Sequence, residues 1–167
     1  FHDLVALSGS LILAFAVKSN PNLAVLRLFA REGYGADVVS AGEMARAIAA
    51  GMDPDKIIFS GVGKTAGEMT AAMDAGIGQF NIESEAEGME LSALAMARNS
   101  RAAATLRVNP DVDAGTHAKI STGKAENKFG VPLHEAASIY GRLAALPGLA
   151  MRGVALHIGS QLLTLDP

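Results

Sequence analysis

The sequence predicts an α/β protein in which parallel strands alternate with helices, and three observations carry that reading. Apolar runs of strand length recur through the 167 residues, at 11–17, 36–39, 56–59, 79–82, 103–108 and 152–158. Segments of helical length and period separate them, and unbroken apolar strands alternating with helices imply a sheet covered on both faces. Helix starts and stops fall in the same phase, with three capping boxes just beyond strands and three glycines closing helices.

The first run, Leu11-Ile12-Leu13-Ala14-Phe15-Ala16-Val17, stops at Lys18, and Ser19-Asn20-Pro21-Asn22 breaks the pattern. One primary amine is therefore expected at the C-terminal lip of a buried strand, where α/β proteins place their chemistry. A buried ammonium loses hydration unless it is paired or neutralised; the plainer alternative is a lysine reaching into solvent from a strand end. A helix follows and closes at Gly33. The run at 36–39 leads into Ser40-x-x-Glu43, whose hydroxyl and carboxylate each satisfy an orphan N–H at a helix start, and Gly51 ends that helix.

The run at 56–59 enters Ser60-Gly61-Val62-Gly63-Lys64-Thr65, which ends like a P-loop but lacks that motif's first glycine. It reads instead as a turn into the capping box Thr65-x-x-Glu68, with Gly76 as the stop. The run at 79–82 is followed by a third box, Ser84-x-x-Glu87. After the run at 103–108, proline opens a helix at 132–146 that ends before Pro147-Gly148. On it Leu133, Ala136, Ala137, Tyr140, Leu143 and Ala144 form the apolar stripe expected to lie on the sheet. The last run, 152–158, closes on His157-Ile158-Gly159-Ser160-Gln161.

This spacing describes either a doubly wound sheet or most of an eight-stranded barrel, and both gather the strand C-termini on one side. The residues after the strands are rich in ionisable groups, more than a structural edge requires. Half the residues are hydrophobic and the net charge is -3, which suits a soluble protein with no nucleic-acid or membrane partner. There is no cysteine, hence no disulfide or thiolate, in keeping with a cytoplasmic location. No basic segment leading an apolar core marks a secretory signal, and the start at Phe1 and stop at Pro167 read as the ends of a piece of a longer chain. His157 suits a base or a hydrogen-bonded core residue; His2, His117 and His134 are scattered, and no metal-ligand spacing is visible.

The segment Phe15-Ala16-Val17-Lys18-Ser19-Asn20-Pro21-Asn22 resembles the lysine motif of the pyridoxal-phosphate decarboxylases with an alanine-racemase-like barrel, a family that includes ornithine, arginine and diaminopimelate enzymes. The resemblance continues through Gly35-Ala36-Asp37-Val38-Val39-Ser40, Phe59-Ser60-Gly61-Val62-Gly63-Lys64-Thr65 and Phe80-Asn81-Ile82-Glu83-Ser84. Leu106-Arg107-Val108-Asn109-Pro110-Asp111-Val112-Asp113, Thr116-His117, Ile120-Ser121-Thr122-Gly123, Asn127-Lys128-Phe129-Gly130 and His157-Ile158-Gly159-Ser160-Gln161 are similar to the diaminopimelate branch.

The resemblance implies an incomplete (β/α)8 barrel, about six of eight βα units, as one partial domain over 1–167 whose C-terminal β-domain lies outside these residues. It implies a carboxy-lyase that uses pyridoxal 5'-phosphate to turn meso-2,6-diaminopimelate into L-lysine and CO2, homodimeric when full-length. Lys18 would carry the cofactor through its amine, His157 would stack on the pyridine face, Ser160 would bond the phosphate, and Asp37 and Arg107 would lie close by. Asp37 also suits a strand anchor and Arg107 a structural ion pair. Ornithine, arginine and carboxynorspermidine decarboxylases, or a regulatory relative without turnover, are the rival readings. The family's glycine-rich phosphate loop and the acid that pairs with the pyridine nitrogen are not among these residues, so the segment alone is expected to be inactive.

Overall fold

A computed structural model describes residues 11–110 and 129–159. Of these, 11–60 and 67–79 form one compact unit, and 61–66, 80–110 and 129–159 form another.

In the first unit three short strands, β1 (Ala14–Ala16), β2 (Gly35–Val38) and β3 (Ile57–Phe59), pair in parallel. Ala16 stands opposite Asp37, and Asp37 opposite Ile58. Ala36, Val38, Ile57 and Phe59 are fully buried, as an apolar sheet interior requires. Helices α1 (Leu23–Arg31), α2 (Ala41–Ala49) and α3 (Ala66–Asp74) bury Leu26, Met44, Ala47, Met69 and Ala72. Phe15 on β1 stacks on Phe29 of α1 with ring centroids 4.1 Å apart, and Tyr34 meets Phe29 edge-on. Gly35 is required by close approach, since a Cβ there would lie 2.0 Å from the Lys56 carbonyl oxygen.

The expected stops at Gly33, Gly51 and Gly76 all adopt positive φ. At Gly51 the pattern is complete: Gly51 N–H donates to Ile48 O and Met52 N–H to Ala47 O, satisfying the last carbonyls of α2. Of the starts, Ser40 Oγ accepts from Glu43 N–H at 3.2 Å, and Glu43 Oε2 accepts from Val39 N–H at 2.9 Å. The box thus closes one residue upstream of its cap.

In the second unit β5 (Ala102–Asn109) lies between β4 (Gln79–Ile82) and β7 (Leu149–Leu156), all parallel, and its last residues pair with the two-residue β6 (Val131–Pro132). A slip between Ala104 and Thr105 interrupts the β5–β7 register. Helix α4 (Glu85–Met96) buries Leu91, Ser92 and Ala95, starts with Ser84 Oγ accepting from Glu87 N–H, and stops at Asn99, which adopts positive φ in place of a glycine.

Three expectations need correction. Helix α5 (Leu133–Ala144) buries Ile139 and Leu143, while Leu133 is 61% exposed and Ala137 and Ala144 also face solvent. Alanine and a first-turn leucine bury little area, so the branched Ile139 sets the face. The last strand begins at Leu149, not Arg152, and is not buried on both faces: Val154 and Leu156 are 57% and 62% exposed. The first is shorter than its apolar run, with Leu11 and Ile12 exposed before it.

Candidate functional site

Lys18 sits in the first unit on a single 3-10 turn, Val17–Ser19, directly after β1. The following motif builds that turn. Ser19 Oγ donates to Ala16 O at 2.7 Å and Asn20 N–H to Val17 O at 3.1 Å, closing it. Asn20 Oδ1 accepts from Asn22 N–H, and Asn22 Oδ1 from Ala24 N–H at 2.8 Å, capping α1. Val17 takes the inward position and is fully buried, which turns the next side chain out; Lys18 is exposed, not buried at a strand lip. The motif presents the amine on a braced turn.

Asp37, half-buried, extends from β2 opposite Ala16, and the turn bearing Lys18 packs against β2. Its Oδ1 accepts from the Ser60 hydroxyl at 2.5 Å. This bond ties β2 to the residue after β3, as a strand anchor does, and it holds the carboxylate near the C-terminal end of β2, beside the turn that carries Lys18. Ser60 is a partner the sequence reading passed over, although its place directly after β3 put it at the same level. Glu68 Oε1 reaches across to Ala41 N–H at 3.1 Å, bracing the start of α2.

In the second unit the strand ends carry a buried charge network. Arg107, on β5, donates from Nη1 to Glu83 Oε1 at 2.9 Å, and its guanidinium lies 5.0 Å from the Phe129 ring centroid. Glu83 follows β4 and also accepts from Gly61 N–H at 3.0 Å and Gly130 N–H at 3.1 Å. Lys64 is buried, and its ammonium donates to Gly61 O at 2.6 Å, Asn81 O at 2.8 Å and Glu87 Oε1 at 2.7 Å. All three of its protons have acceptors, which makes it a strut within its loop. Burial holds the Glu87 carboxyl above the ordinary glutamate range, with the charge and hydrogen bond of Lys64 opposing that shift. Thr105 Oγ1 donates to Asn81 Oδ1 at 2.6 Å.

His157 is half-buried and follows Leu156, which pairs with Val108, so it lies at the end of the sheet that Arg107 occupies. The two units thus divide the expected residues, Lys18 and Asp37 in one, Arg107 and His157 in the other. Ser160 lies outside the described residues, as do 116–123 and Asn127-Lys128. Glu83, on which this network converges, was not singled out from the sequence; its signal was a carboxylate set between a strand end and a helix cap. Among the described residues no three His, Asp or Glu side chains gather to hold a metal ion, and no helix is long and apolar enough to cross a membrane.

Comparison with known proteins gives a consistent result. The model of the pyridoxal-dependent decarboxylase pyridoxal binding domain matches residues 2–166. Diaminopimelate decarboxylase of Zymomonas mobilis is 56% identical over 159 residues, covering 95% of this chain and 38% of that protein. The Pseudomonas fluorescens enzyme of the same name is 54% identical over 157 residues, with 93% and 38% covered. The crystal structure of diaminopimelate decarboxylase from Helicobacter pylori complexed with L-lysine superposes with a TM-score of 0.91 at 43% identity, covering 93% of this chain and 40% of that one. The chain spans about two fifths of the length of the relatives it matches.

Proposed function

The chain belongs to the pyridoxal-dependent decarboxylases through their pyridoxal binding domain, and from that membership we propose that it is part of a diaminopimelate decarboxylase. The reaction is the conversion of meso-2,6-diaminopimelate to L-lysine and CO2. The observation that carries this reading is identity of 54% and 56%, over nearly the whole chain, to two enzymes named for that substrate. That a relative of the same fold is complexed with L-lysine, the product this reaction would give, supports the reading.

The residues present fit pyridoxal 5'-phosphate. An aldehyde cofactor needs a primary amine that it can reach, and Lys18 is exposed on a braced turn beside β2. When bound, the cofactor supplies an electron sink for the charge left on the α-carbon as CO2 departs. The chain's own residues do the holding. Lys18 would hold the cofactor covalently through its side-chain amine. Asp37, kept in one orientation by the Ser60 hydroxyl, sets a fixed negative charge at the strand ends of the first unit. By the family resemblance, Arg107 would offer the cofactor a fixed cation and His157 a flat imidazole face. Ser160 is assigned to the phosphate. Residues 1–167 are read as a partial barrel domain of a homodimeric, cytoplasmic protein whose C-terminal β-domain completes the substrate site.

The test is CO2 release by the full-length protein from meso-diaminopimelate, L-ornithine, L-arginine and carboxynorspermidine. Preference for diaminopimelate is expected; preference for another substrate overturns the assignment. Borohydride reduction with peptide mass mapping is expected to place a pyridoxyl group on Lys18, and an unlabelled Lys18 overturns its role.

A further inference from the structure

Glu83 has an arrangement that a strand-end carboxylate does not need for stability alone. Its side chain is 2% exposed and that of Arg107 12%. Three N–H donors converge on it from separate segments: Gly61 and Arg107 on Oε1, Gly130 on Oε2. Gly61 is held at both ends of its residue, because its carbonyl accepts from Lys64 Nζ. A single carboxylate therefore fixes the loop before α3, the segment before β6 and the cation on β5.

The ion pair is also one-sided. Arginine and carboxylate ordinarily meet through two parallel bonds when the pair is the whole purpose. Here only Nη1 is engaged, the ring of Phe129 lies 5.0 Å from the guanidinium carbon, and among the described residues Nε–H and Nη2–H have no acceptor. A nearly buried guanidinium locked by one nitrogen, whose other donors meet no acceptor among the described residues, is pre-organised for a further acceptor such as a bound ligand.

We propose that Glu83 is a positioning residue of the cofactor site, acting through Arg107 by fixing the guanidinium in one orientation and tying the Gly61 and Gly130 backbone around it. The proposal rests on the reading of Arg107 as a cofactor-side residue. It makes Glu83, which touches nothing that reacts, a determinant of cofactor affinity and turnover.

A double-mutant cycle in the full-length holoenzyme tests it, with Glu83→Gln, Arg107→Gln and the pair, read by cofactor titration, the absorption of the bound cofactor and separate kcat and KM. Each single variant is expected to weaken cofactor binding about tenfold and to lower kcat with little change in substrate KM, and the pair to be little worse than either single. Cofactor affinity within about twofold of wild type in folded Glu83→Gln, or single effects that multiply in the pair, overturns the proposal. Should Glu83→Gln not accumulate, Glu83→Asp keeps the charge and shortens the reach; weakened cofactor binding supports the role and unchanged binding overturns it. Amide exchange at Gly61 and Gly130 without cofactor is expected to quicken in the Glu83 variants, and unchanged exchange removes the anchoring half of the proposal. Failure of the family chemistry is separable, since a wild-type protein that borohydride does not label on Lys18 defeats the parent reading whatever the amides do.

Discussion

The Ser60 hydroxyl donates to Asp37 Oδ1 at 2.5 Å, tying the residue after β3 to a half-buried carboxylate on β2. A hydrogen bond to a charged acceptor contributes about 1.5–3 kcal/mol when its loss leaves the acceptor short of a donor. Ser60→Ala in the full-length protein is therefore expected to lose about 1.5 kcal/mol in urea denaturation, with Ser60→Thr recovering most of it. An unchanged midpoint in Ser60→Ala would show that water replaces the hydroxyl at no cost and that Asp37 is not held by it.

Lys18 gives a prediction in which stability and activity separate. Its side chain is exposed, and the bonds that make its turn come from Ser19, Asn20 and Asn22. Lys18→Met is expected to change stability by less than about 0.5 kcal/mol while lowering kcat roughly a thousandfold or more, as loss of a covalent anchor does. Asn22→Ala shows the opposite emphasis, a stability loss of about 1 kcal/mol from the lost cap. Thermal melts and steady-state kinetics on the same preparations distinguish the two; a Lys18→Met enzyme with near-normal turnover would remove the lysine from the chemistry.

What the sequence revealed and what it hid divide along the range of the interactions. The alternation of strands and helices, the capping serines at Ser40 and Ser84 and the stop at Gly51 rest on bonds spanning a few residues, so local pattern found them. The family motifs singled out Lys18 and Asp37, and the strand that leads into the turn bearing Lys18 pairs with the strand that carries Asp37. Arg107–Glu83, 24 residues apart, and Lys64–Glu87, 23 apart, depend on strand register, which no local pattern encodes. The burial of Ile139 was missed because a helix with so many alanines offers two overlapping apolar stripes. The exposure of Lys18, the plainer of its two sequence readings, follows from one 3-10 turn after β1, which rotates its side chain by a third of a circle from Val17.

Two glycines only seven residues apart are expected to respond oppositely to the same substitution. A Cβ at Gly35 would meet the Lys56 carbonyl oxygen at 2.0 Å, whereas one at Gly42, in α2, meets only Ser40 Oγ at 3.8 Å. Gly35→Ala must push β2 away from the chain entering β3 and is expected to cost about 2–3 kcal/mol or to prevent accumulation of folded protein. Gly42→Ala is expected to be neutral or stabilising by up to about 1 kcal/mol, since alanine favours the helix. Equal effects in denaturation would show that the β2–β3 contact yields freely.

Lys64 and Glu87 carry the pH dependence. Lys64 is fully paired in a buried site, so Lys64→Met strands the Glu87 carboxylate along with the Gly61 and Asn81 carbonyls, a change expected to cost about 3–5 kcal/mol near neutral pH. Burial already raises the Glu87 carboxyl above its ordinary 4.5, and Lys64 is what pulls it back. Removing the lysine raises it further. A carboxyl whose folded value exceeds its unfolded one contributes stability that is fully present below the unfolded value and is lost as pH rises through the folded one. The penalty of Lys64→Met relative to wild type is therefore expected to be smallest below about pH 4, where Glu87 is protonated in both the folded and the unfolded state, and to grow toward pH 7. Denaturation curves for both proteins across that range read the difference directly. A penalty that is flat with pH would mean that Glu87 finds another cation or water once Lys64 is gone, whereas one that grows on acidification would reverse the assigned sign of the Glu87 shift.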